Sequence, residues 1–254
     1  MKRFAPLIAV AFVSLIAPAF GEMNIDVVVD GLNNPWEMVF APNGDIYFSE
    51  RDGRVWKIEN FGEAKVIQTF PKSGSYEGGT LGLALDPNFE ENKKIYIYQT
   101  NLELEFFQNK VFSFTVDGDE LVDVQTVIDD IPGAPWHDGG RIAFGPDDKL
   151  YITTGDAVNP GWSQDLSSLA GKILRINSDG SIPDDNPFDS SAIFSYGHRN
   201  PQGIAWNDNG LLVSSEHGPS GEMGYGHDEI NVIVKGKNYG WPKVVGDSSD
   251  DSYV

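Results

Sequence analysis

The segment between Ser195 and Trp241 holds an unusual density of side chains that could do chemistry. Its polar groups comprise one cation, two amides, three carboxylates, a histidine and a phenol: Arg199, Asn200, Gln202, Glu216, His217, Asp228, Glu229 and Tyr239. Short apolar runs separate them, and Asn209-Gly210 predicts a tight hairpin turn between two such runs. The cluster predicts a site for an anionic ligand and a hard metal ion. The alternative is that its Asn, Asp and Gly residues only form turns.

The same segment offers oxygen ligands for a metal ion. Gly218-Pro219 is followed by Asp228-Glu229, and together they supply main-chain carbonyl and carboxylate oxygens. Ca²⁺ prefers such hard ligands, although the D-x-D-x-D-G spacing of an EF-hand is absent. Zinc is the weaker interpretation, because the chain has no cysteine and a Gly-rich stretch separates the two nearest histidines. The segment therefore predicts a calcium site.

A second group with chemical potential lies upstream, at His137 and Asp156. His137 precedes a glycine pair and an apolar strand, and Asp156 follows the next strand. A histidine held by an aspartate is the usual construction of a general base, because the carboxylate sets the tautomer and stabilises the imidazolium. The alternative is that Asp156 merely ends a strand and His137 lies in a loop. The spacing alone does not separate these two interpretations.

The elements that must position these groups recur along the chain. An apolar strand, a turn and an alternating strand repeat about every 45 to 62 residues, as in the blades of a β-propeller. The first strands are predicted at 38–42, 83–87, 142–146 and 204–208, and the second at 45–49, 94–100, 149–154 and 211–215. Third strands are predicted at 54–59, 110–116, 172–176 and 229–234.

Two finer expectations accompany these repeats. Residues 142–144 and 204–206 are expected to face the core. No long helix is predicted, and residues 159–170 are expected to form a loop with one turn of helix.

Composition limits the fold and the partners. With 254 residues, 40% of them hydrophobic, the chain is long enough for one large domain, and its 28 glycines and 15 prolines favour short strands and turns. A net charge of −20 disfavours nucleic acid and anionic membranes as partners. The absence of cysteine excludes disulfides and a thiol nucleophile.

The N-terminus has the pattern of an export signal. Lys2 and Arg3 precede an apolar run that Pro6 and Pro18 interrupt. This predicts a signal peptide at residues 1–21 and a mature domain at 22–254, exported to the periplasm or the cell exterior. An uncleaved anchor is the alternative. No other apolar stretch has spanning length, so no integral membrane segment is expected after cleavage.

Several longer motifs identify a family. They are NPWEMVFAPNGDIYFSER, GGTLGLALDPNF, WHDGGRIAFGPDDKLYITTGD, SLAGKILRINSDGSIPDDNPF, YGHRNPQGIAW, SEHGP and DEINVIVKGKNYGWP. Over residues 31–246 the chain resembles the soluble pyrroloquinoline quinone (PQQ)-dependent aldose sugar dehydrogenases of the glucose/sorbosone dehydrogenase family. The resemblance implies an all-β fold, a six-bladed β-propeller with PQQ on its top face beside Ca²⁺. About four blades are expected in this chain, so the domain is expected to be incomplete at the C-terminus.

The resemblance also implies roles for individual residues. His137 would take the proton from the anomeric hydroxyl of the sugar, with Asp156 orienting it. Arg199 would stabilise the developing oxyanion as hydride passes to PQQ. The further residues implied to contact PQQ are Asn200, Gln202 and His217.

For the metal, the resemblance implies two calcium sites. The carbonyls of Gly218 and Pro219 would bind the Ca²⁺ that lies against PQQ. A second, structural Ca²⁺ would be held by Glu229, Tyr239 and Asp228. Residues 220–227 form a longer connector than the family pattern leads one to expect, which leaves the metal geometry open.

The expected function is therefore the oxidation of a small-molecule aldose to a lactone, with PQQ and Ca²⁺ as cofactors and an electron acceptor that the sequence does not identify. Two alternatives stay open. One is a calcium-dependent lactonase on a propeller, which would not need the HRNPQG motif. The other is an exported propeller that binds partners without catalysis. The joint presence of His137, Asp156 and Arg199 argues against the latter.

Overall fold

A computed structural model describes residues 26–73, 75–103, 105–220, 226–246 and 253–254. The chain divides into a unit that ends at Asp30 and a unit formed by Gly31–Val254, which contains all the strands described below. The predicted signal peptide at residues 1–21 lies outside the described residues. None of the described helices has the length and hydrophobicity required to cross a membrane.

The strands of the second unit form four sheets. Sheet one contains β1 (Pro35–Phe40), β2 (Ile46–Glu50), β3 (Arg54–Ile58) and β4 (Ala64–Thr69). Sheet two contains β5 (Thr80–Leu85), β6 (Lys94–Glu103), β7 (Phe106–Asp117) and β8 (Glu120–Pro132). Sheet three contains β9 (Ile142–Phe144), β10 (Leu150–Thr154), β11 (Lys172–Ile176) and β12 (Ile193–Tyr196). Sheet four contains β13 (Pro201–Trp206), β14 (Leu212–Glu216) and β15 (Glu229–Ile233).

Each sheet is an antiparallel meander in which neighbouring strands follow one another in sequence. The first strands lie next to each other, since β1 contacts β5, β5 contacts β9 and β9 contacts β13. Sheets that meet through their first strands are the blades of a β-propeller. The predicted all-β propeller, with four blades in this chain, is confirmed, and the total of six stays a prediction.

The core consists of layers between adjacent blades. In β6, Ile95 and Ile97 pack towards blade one, whereas Tyr96 and Tyr98 pack towards blade three. Successive side chains of a strand point to opposite faces, so a middle strand in a stack of blades is buried on both sides. The fully buried strands β10 and β11 of blade three, which lies between blades two and four, follow from this arrangement.

The fourth strand of each complete blade was not predicted from the sequence. Strands β4 and β8 are largely polar and exposed on the outside of their blades. An outer strand contacts the core through only some of its residues, so its sequence carries little of the apolar pattern on which the prediction depended.

The expectation that residues 204–206 face the core is wrong for Ala205, which is exposed. Ile204 and Trp206 pack partly buried against the layer between blades three and four. The alternation of side chains along β13 sends the residue between them to the other face. In β9, Ile142 is buried and Phe144 packs against the core, with Ala143 half-buried between them.

Two short helices complete the described structure. Pro160–Gln164 forms a single 3-10 helix, which confirms the turn of helix expected within residues 159–170. Phe89–Asn92 forms one α-helical turn between β5 and β6 that was not predicted, and its buried Phe89 packs edge-to-face against Tyr47 of blade one.

Candidate active site

Four loops at one end of blades three and four bring the predicted site residues together. The start of β9 lies beside the end of β10, and the start of β13 lies beside the end of β14. The loops before β9 and β13 therefore emerge next to the loops that follow β10 and β14. Main-chain hydrogen bonds join them: the amide of Asp156 donates to the carbonyl of Arg199 at 2.7 Å, and that of His217 to the carbonyl of Asn200 at 3.2 Å.

His137 and Asp156 form a hydrogen-bonded pair. His137 Nδ1 lies 2.7 Å from Asp156 Oδ1. The buried carboxylate also accepts the amide of Val158 at 2.9 Å and the indole N–H of Trp241 at 2.8 Å. Because an aspartate oxygen accepts the hydrogen bond, the proton of neutral His137 lies on Nδ1 and the lone pair on Nε2. This arrangement suits a general base whose orientation is set by the buried carboxylate of Asp156.

The backbone of His137 is held in an unusual conformation. Its φ is +64°, in the left-handed region, and its amide donates to Glu77 Oε2 at 2.9 Å. A β-carbon on Gly155 would come within 1.9 Å of the His137 carbonyl oxygen, so glycine is required there. Glu77 was not singled out in the sequence. The glycine pair that follows it, which resembles the pair after His137, was the signal that could have found it.

Asn200 lies beneath the surface of the site, where it is buried. Its Oδ1 accepts the amide of Gly139 at 3.0 Å, and its Nδ2 lies 3.4 Å from Glu77 Oε2. In this structure its side chain therefore connects the loops of three blades. Its contact with PQQ stays a prediction.

Arg199 presents a positive charge at the site. Its guanidinium lies 5.6 Å from the ring centroid of Trp241, and Nη1 donates to the carbonyl of His217 at 3.2 Å. Arg141 and Arg175 each pair with carboxylates. In contrast, no acidic side chain of the described residues lies within ion-pair distance of the Arg199 guanidinium. This cation is therefore available to an anionic ligand.

A buried chain of hydrogen-bonded polar groups holds the backbone of Arg199 in place. Ser195 Oγ lies 2.8 Å from His198 Nε2, and His198 Nδ1 lies 2.9 Å from Glu216 Oε2. The other oxygen of Glu216 accepts the amide of Arg199. The order serine, histidine, acid is that of a hydrolytic triad, but Ser195 and His198 are fully buried, so a substrate does not reach them. We assign these residues a positioning role.

Gln202 and His217 lie next to each other at the edge of the site. Gln202 Oε1 is 3.0 Å from His217 Nε2, and both side chains line a cavity of about 180 Å³ with Asp228 and Glu229. The backbone of Gln202 is fixed by Arg141, whose Nε donates to its carbonyl at 3.0 Å. The structure thus gathers these four predicted site residues around one cavity.

Gly218 and Pro219 are buried, in surroundings rich in oxygen. The amide of Gly218 donates to Asp228 Oδ1 at 2.9 Å. The carbonyl oxygens of Gly226 and His227 would lie 2.1 and 2.3 Å from a β-carbon on Gly218. Outside residues 221–225 and the other undescribed positions, no three His, Cys, Asp or Glu side chains group as a metal site. A metal here would therefore depend on main-chain oxygens.

The predicted structural calcium site consists of Asp228, Glu229 and Tyr239, which line a common cavity. The hydrogen bonds of Tyr239 limit how this residue could bind a metal. Its hydroxyl donates to the carbonyl of Val232 at 2.6 Å and accepts the amide of Val234 at 2.8 Å. Burial raises the pKa of the Tyr239 phenol to about 12. Because the hydroxyl is committed to the backbone, a metal would contact Tyr239 only through its main-chain carbonyl.

The carboxylate of Glu229 stands directly opposite Glu216 on the neighbouring strand. Its Oε1 accepts the amide of Gly246 at 3.1 Å, and its Oε2 accepts Asn231 Nδ2 at 3.0 Å. Like charges directly opposite one another on a sheet destabilise it. A bound cation would offset this repulsion.

Asp138 is a buried acid that the sequence analysis missed. Its carboxylate accepts hydrogen bonds from the amide of Ala134, from Asn109 Nδ2 and from Ser75 Oγ, at 3.0 to 3.2 Å. Burial raises its pKa to about 6, and the nearby charge of Glu77 adds to the effect. No spacing rule distinguishes this aspartate from a surface one, because two of its three partners, Asn109 and Ser75, come from distant parts of the chain.

Comparison with known proteins identifies relatives of the whole strand-bearing unit. The Glucose / Sorbosone dehydrogenase family matches residues 32–253. Quinoprotein glucose dehydrogenase B of Acinetobacter calcoaceticus is 34% identical over 263 residues, which cover 90% of this chain and 54% of that protein. Aldose sugar dehydrogenase YliI of Escherichia coli is 35% identical over 252 residues, which cover 93% of this chain and 66% of that protein.

A solved structure shows the same fold. The PQQ-bound aldose sugar dehydrogenase of Streptomyces coelicolor superposes with a TM-score of 0.82 and 38% sequence identity, covering 90% of this chain and 68% of that one. The chain spans between about half and two thirds of the length of the two curated relatives.

Proposed function

The chain belongs to the glucose/sorbosone dehydrogenase family, and we propose that it carries the site of an exported, PQQ- and calcium-dependent dehydrogenase that oxidises aldoses to lactones. The observation that carries the proposal is the His137–Asp156 pair, which shares one surface with an arginine that has no acidic partner among the described residues. A base and a cation side by side are what the removal of a proton and the binding of an anion require.

The residues fit PQQ, which is an anionic quinone. Among the described residues, no carboxylate pairs with the Arg199 guanidinium, which lies at the site itself, so its charge is free to bind an anion. Gln202 and His217 add hydrogen-bonding groups beside it. When bound, PQQ would supply a two-electron acceptor for the hydride of the sugar.

The proton chemistry depends on residues of this chain. We infer that His137 Nε2 takes the proton of the anomeric hydroxyl. Loss of this proton, together with the hydride on the anomeric carbon, converts the cyclic hemiacetal into a lactone. Asp156 keeps the histidine in the required tautomer and stabilises the imidazolium that forms, and Trp241 and Val158 hold Asp156 in place.

Arg199 would stabilise negative charge and would not transfer a proton. Its guanidinium carries a positive charge and hydrogen-bond donors, so it can attract an anionic ligand and stabilise a developing oxyanion. The carbonyl of His217 and the ring of Trp241 fix the guanidinium, and Glu216 fixes the backbone. Such preorganisation lowers the cost of charge stabilisation.

For calcium, the carbonyls of Gly218 and Pro219 would form one site. Asp228, Glu229 and the main-chain carbonyl of Tyr239 would form a second, structural site. These are oxygen donors only, which fits a hard cation. The opposed carboxylates of Glu216 and Glu229 support a cation nearby.

The proposal includes export through a signal peptide at residues 1–21, and a small sugar as substrate. It leaves the electron acceptor open. The net charge of −20 repels anions in general, and Arg199, the cation of the site, would be occupied by PQQ, so we expect a neutral aldose as the substrate.

The test is a titration of the full chain with PQQ and Ca²⁺, followed by cofactor absorbance, and an assay of glucose oxidation with a dye as acceptor. Arg199→Ala should weaken PQQ binding, whereas His137→Gln should preserve it and lower turnover by roughly 10²- to 10⁴-fold. Lys65→Ala removes the same charge as Arg199→Ala from an exposed outer strand and should change neither.

Two results would overturn the proposal. The first is a chain that binds no PQQ in the presence of Ca²⁺. If that chain hydrolyses a lactone, the lactonase alternative is favoured. If it has no activity at all, the propeller that binds partners without catalysis is favoured. The second is a His137→Gln variant with the turnover of the parent, which would remove the general base.

A further inference from the structure

One fully buried cation lies at the site end of blade three without a carboxylate partner. Lys172 begins β11 and pairs with Thr154, the last residue of β10, and none of its side chain is exposed. Among the described residues no acidic side chain lies within ion-pair distance of its ammonium, and burial lowers the pKa of this group to about 7. A buried charge is costly unless hydrogen bonds replace the lost water, so Lys172 requires strong acceptors.

The acceptors are three main-chain carbonyls. Lys172 Nζ donates to the carbonyl of Trp162 at 2.7 Å, to that of Ser163 at 3.2 Å and to that of Ala170 at 2.6 Å. These three acceptors match the three N–H donors of an ammonium. All of them lie in the loop between β10 and β11, and two belong to its 3-10 helix. Lys172 therefore gathers this loop around one charge.

From the 3-10 helix, hydrogen bonds reach Trp241 by two routes. In the first, Gln164 Nε2 donates to the carbonyl of Trp241 at 2.7 Å, and the side chains of Gln164 and Asn238 exchange two hydrogen bonds, at 3.0 and 2.9 Å. In the second, the carbonyl of Ser163 accepts the amide of Gly197, whose own carbonyl accepts the amide of Trp241, both at 2.9 Å. Both routes start in the segment whose carbonyls bind the ammonium.

Trp241 connects this segment to the two functional groups of the site. Its buried indole N–H donates to Asp156 Oδ2 at 2.8 Å, and Asp156 Oδ1 lies 2.7 Å from His137 Nδ1. A hydrogen bond to one oxygen of a carboxylate fixes its plane, and with it the direction of the other oxygen. The guanidinium of Arg199 lies over the ring of the same tryptophan. The orientation of the base therefore depends on the position of Trp241.

We propose that Lys172 is a positioning residue for the general base. Its ammonium holds the 3-10 helix and, through that helix, Trp241, whose indole keeps the carboxylate of Asp156 aimed at His137. The inference rests on the proposed function, because it names what sets the orientation of the base in that site. It implies that a charge in contact with neither the sugar nor PQQ affects turnover more than cofactor affinity.

The test is Lys172→Met, which keeps the length of the side chain but offers no donor to the three carbonyls. We expect the turnover of the full chain, loaded with PQQ and Ca²⁺, to fall by roughly 10-fold or more, a part of what a general base contributes. The KM for glucose and the affinity for PQQ should change much less, because Lys172 touches neither ligand.

A second readout does not depend on activity. Proton NMR of the chain without cofactor detects the proton on Nδ1 of His137, which the hydrogen bond to Asp156 protects from exchange with water. The chain has only four histidines, and the His137→Gln variant identifies the signal. We expect the signal to persist in the parent chain and to broaden or disappear in Lys172→Met.

The matched control is Lys57→Met. Lys57 is also a buried lysine whose ammonium donates to a main-chain carbonyl, that of Gly118, but it lies towards the end of β3 that is distant from the site. Its substitution should lower the melting temperature and leave turnover and the NMR signal unchanged.

Two further variants test the route. Gln164→Ala, which removes one of the two connections to Trp241, should reproduce part of the effect. Trp241→Phe removes the indole donor, so adding Lys172→Met to it should lower turnover little further, because residues that act through one partner are not additive. Full additivity of the two substitutions would overturn the route.

The outcomes separate this inference from the proposed function. A Lys172→Met variant that is less stable but keeps parental turnover and the NMR signal shows a purely structural lysine and overturns the inference. If this variant does not fold, Lys172→Gln, which keeps two donors, replaces it under the same criterion. A chain that oxidises no sugar, but whose His137 signal depends on Lys172, supports the positioning role and overturns the dehydrogenase.

Discussion

At the scale of single residues, the carboxylate of Asp156 is the point on which the hydrogen bonds of the site converge. It accepts from His137, Val158 and Trp241. In Asp156→Asn one oxygen becomes an amide donor, so the tautomer of His137 is no longer imposed and the imidazolium loses its counter-charge. We expect turnover to fall by roughly 10²-fold or more, with a smaller change in PQQ affinity.

The measurement is turnover of the reconstituted chain beside a separate PQQ titration. Asp165→Asn, on the same loop but at the surface, is the matched control and should leave both unchanged. An Asp156→Asn variant with parental turnover would show that His137 does not depend on this carboxylate.

The buried carboxyl of Asp138 should make the stability of the fold depend on pH. Its pKa is raised in the folded protein from 3.8 to about 6, so its contribution to stability is complete below pH 4 and is lost as the pH rises through 6. Asp138→Asn can keep the hydrogen bonds and does not ionise. The stability of the variant relative to the parent should therefore rise between pH 4 and 6, by on the order of 3 kcal/mol.

Urea unfolding at a series of pH values measures this difference. Exposed Asp189→Asn is the control and should show no such trend. A relative stability of Asp138→Asn that stays flat across this window would mean that the buried carboxyl ionises without cost. The groups facing Asp138 are Glu77, Ser75, Asn109 and the hydroxyl of Tyr98, and none of them supplies a positive charge.

At the scale of elements, the turn that leaves β10 determines where the base stands. Gly155 follows the last residue of that strand, and a β-carbon there would lie 1.9 Å from the carbonyl oxygen of His137. Gly155→Ala must push the His137 loop away from the blade. We expect a loss of stability of about 1 to 3 kcal/mol, the usual cost of overpacking, and a loss of turnover that exceeds the loss of PQQ affinity.

Chemical unfolding and the two functional assays check this prediction. Gly161→Ala, in the 3-10 helix of the following loop, has only a side-chain atom at 3.5 Å from its β-carbon and serves as the control. A Gly155→Ala variant that is as stable as the Gly161→Ala variant would show that the loop of His137 and the loop that follows β10 are not held in contact.

At the scale of the whole molecule, calcium should couple the end of β14 to the start of β15. The proposed ligands lie on both sides of the loop that joins them, so a bound ion would hold the outer part of blade four together. Free Ca²⁺ at 100 times its dissociation constant would stabilise the fold by about 2.7 kcal/mol. We expect a chelator to lower the melting temperature and added Ca²⁺ to restore it.

Glu229→Gln should reduce this response, and Glu120→Gln, an exposed acid on β8, should keep it. A melting curve that a chelator leaves unmoved would mean that the carboxylates of blade four are only a solvated surface.

From the sequence alone, three strands of each blade could be predicted, because they follow from short-range patterns. The spacing of His137 and Asp156 left their pairing open, and only the resemblance to the family implied it. Alternation of apolar side chains is a local property of a strand, and the two site residues flank the two adjacent strands β9 and β10. The membership of the family likewise follows from contiguous motifs. The signal peptide, the calcium ligands and the contacts with PQQ stay predictions.

The tertiary structure decided what surrounds those two residues. Glu77, which holds the His137 amide, is 60 residues away in the sequence, and Trp241, which holds Asp156, is 85 residues away. Such neighbours are set by how one blade packs on the next, and no periodicity of the chain encodes the distance between them. The same holds for the stacked Tyr76 and Trp136, whose separate loops meet only because the first strands β5 and β9 lie side by side.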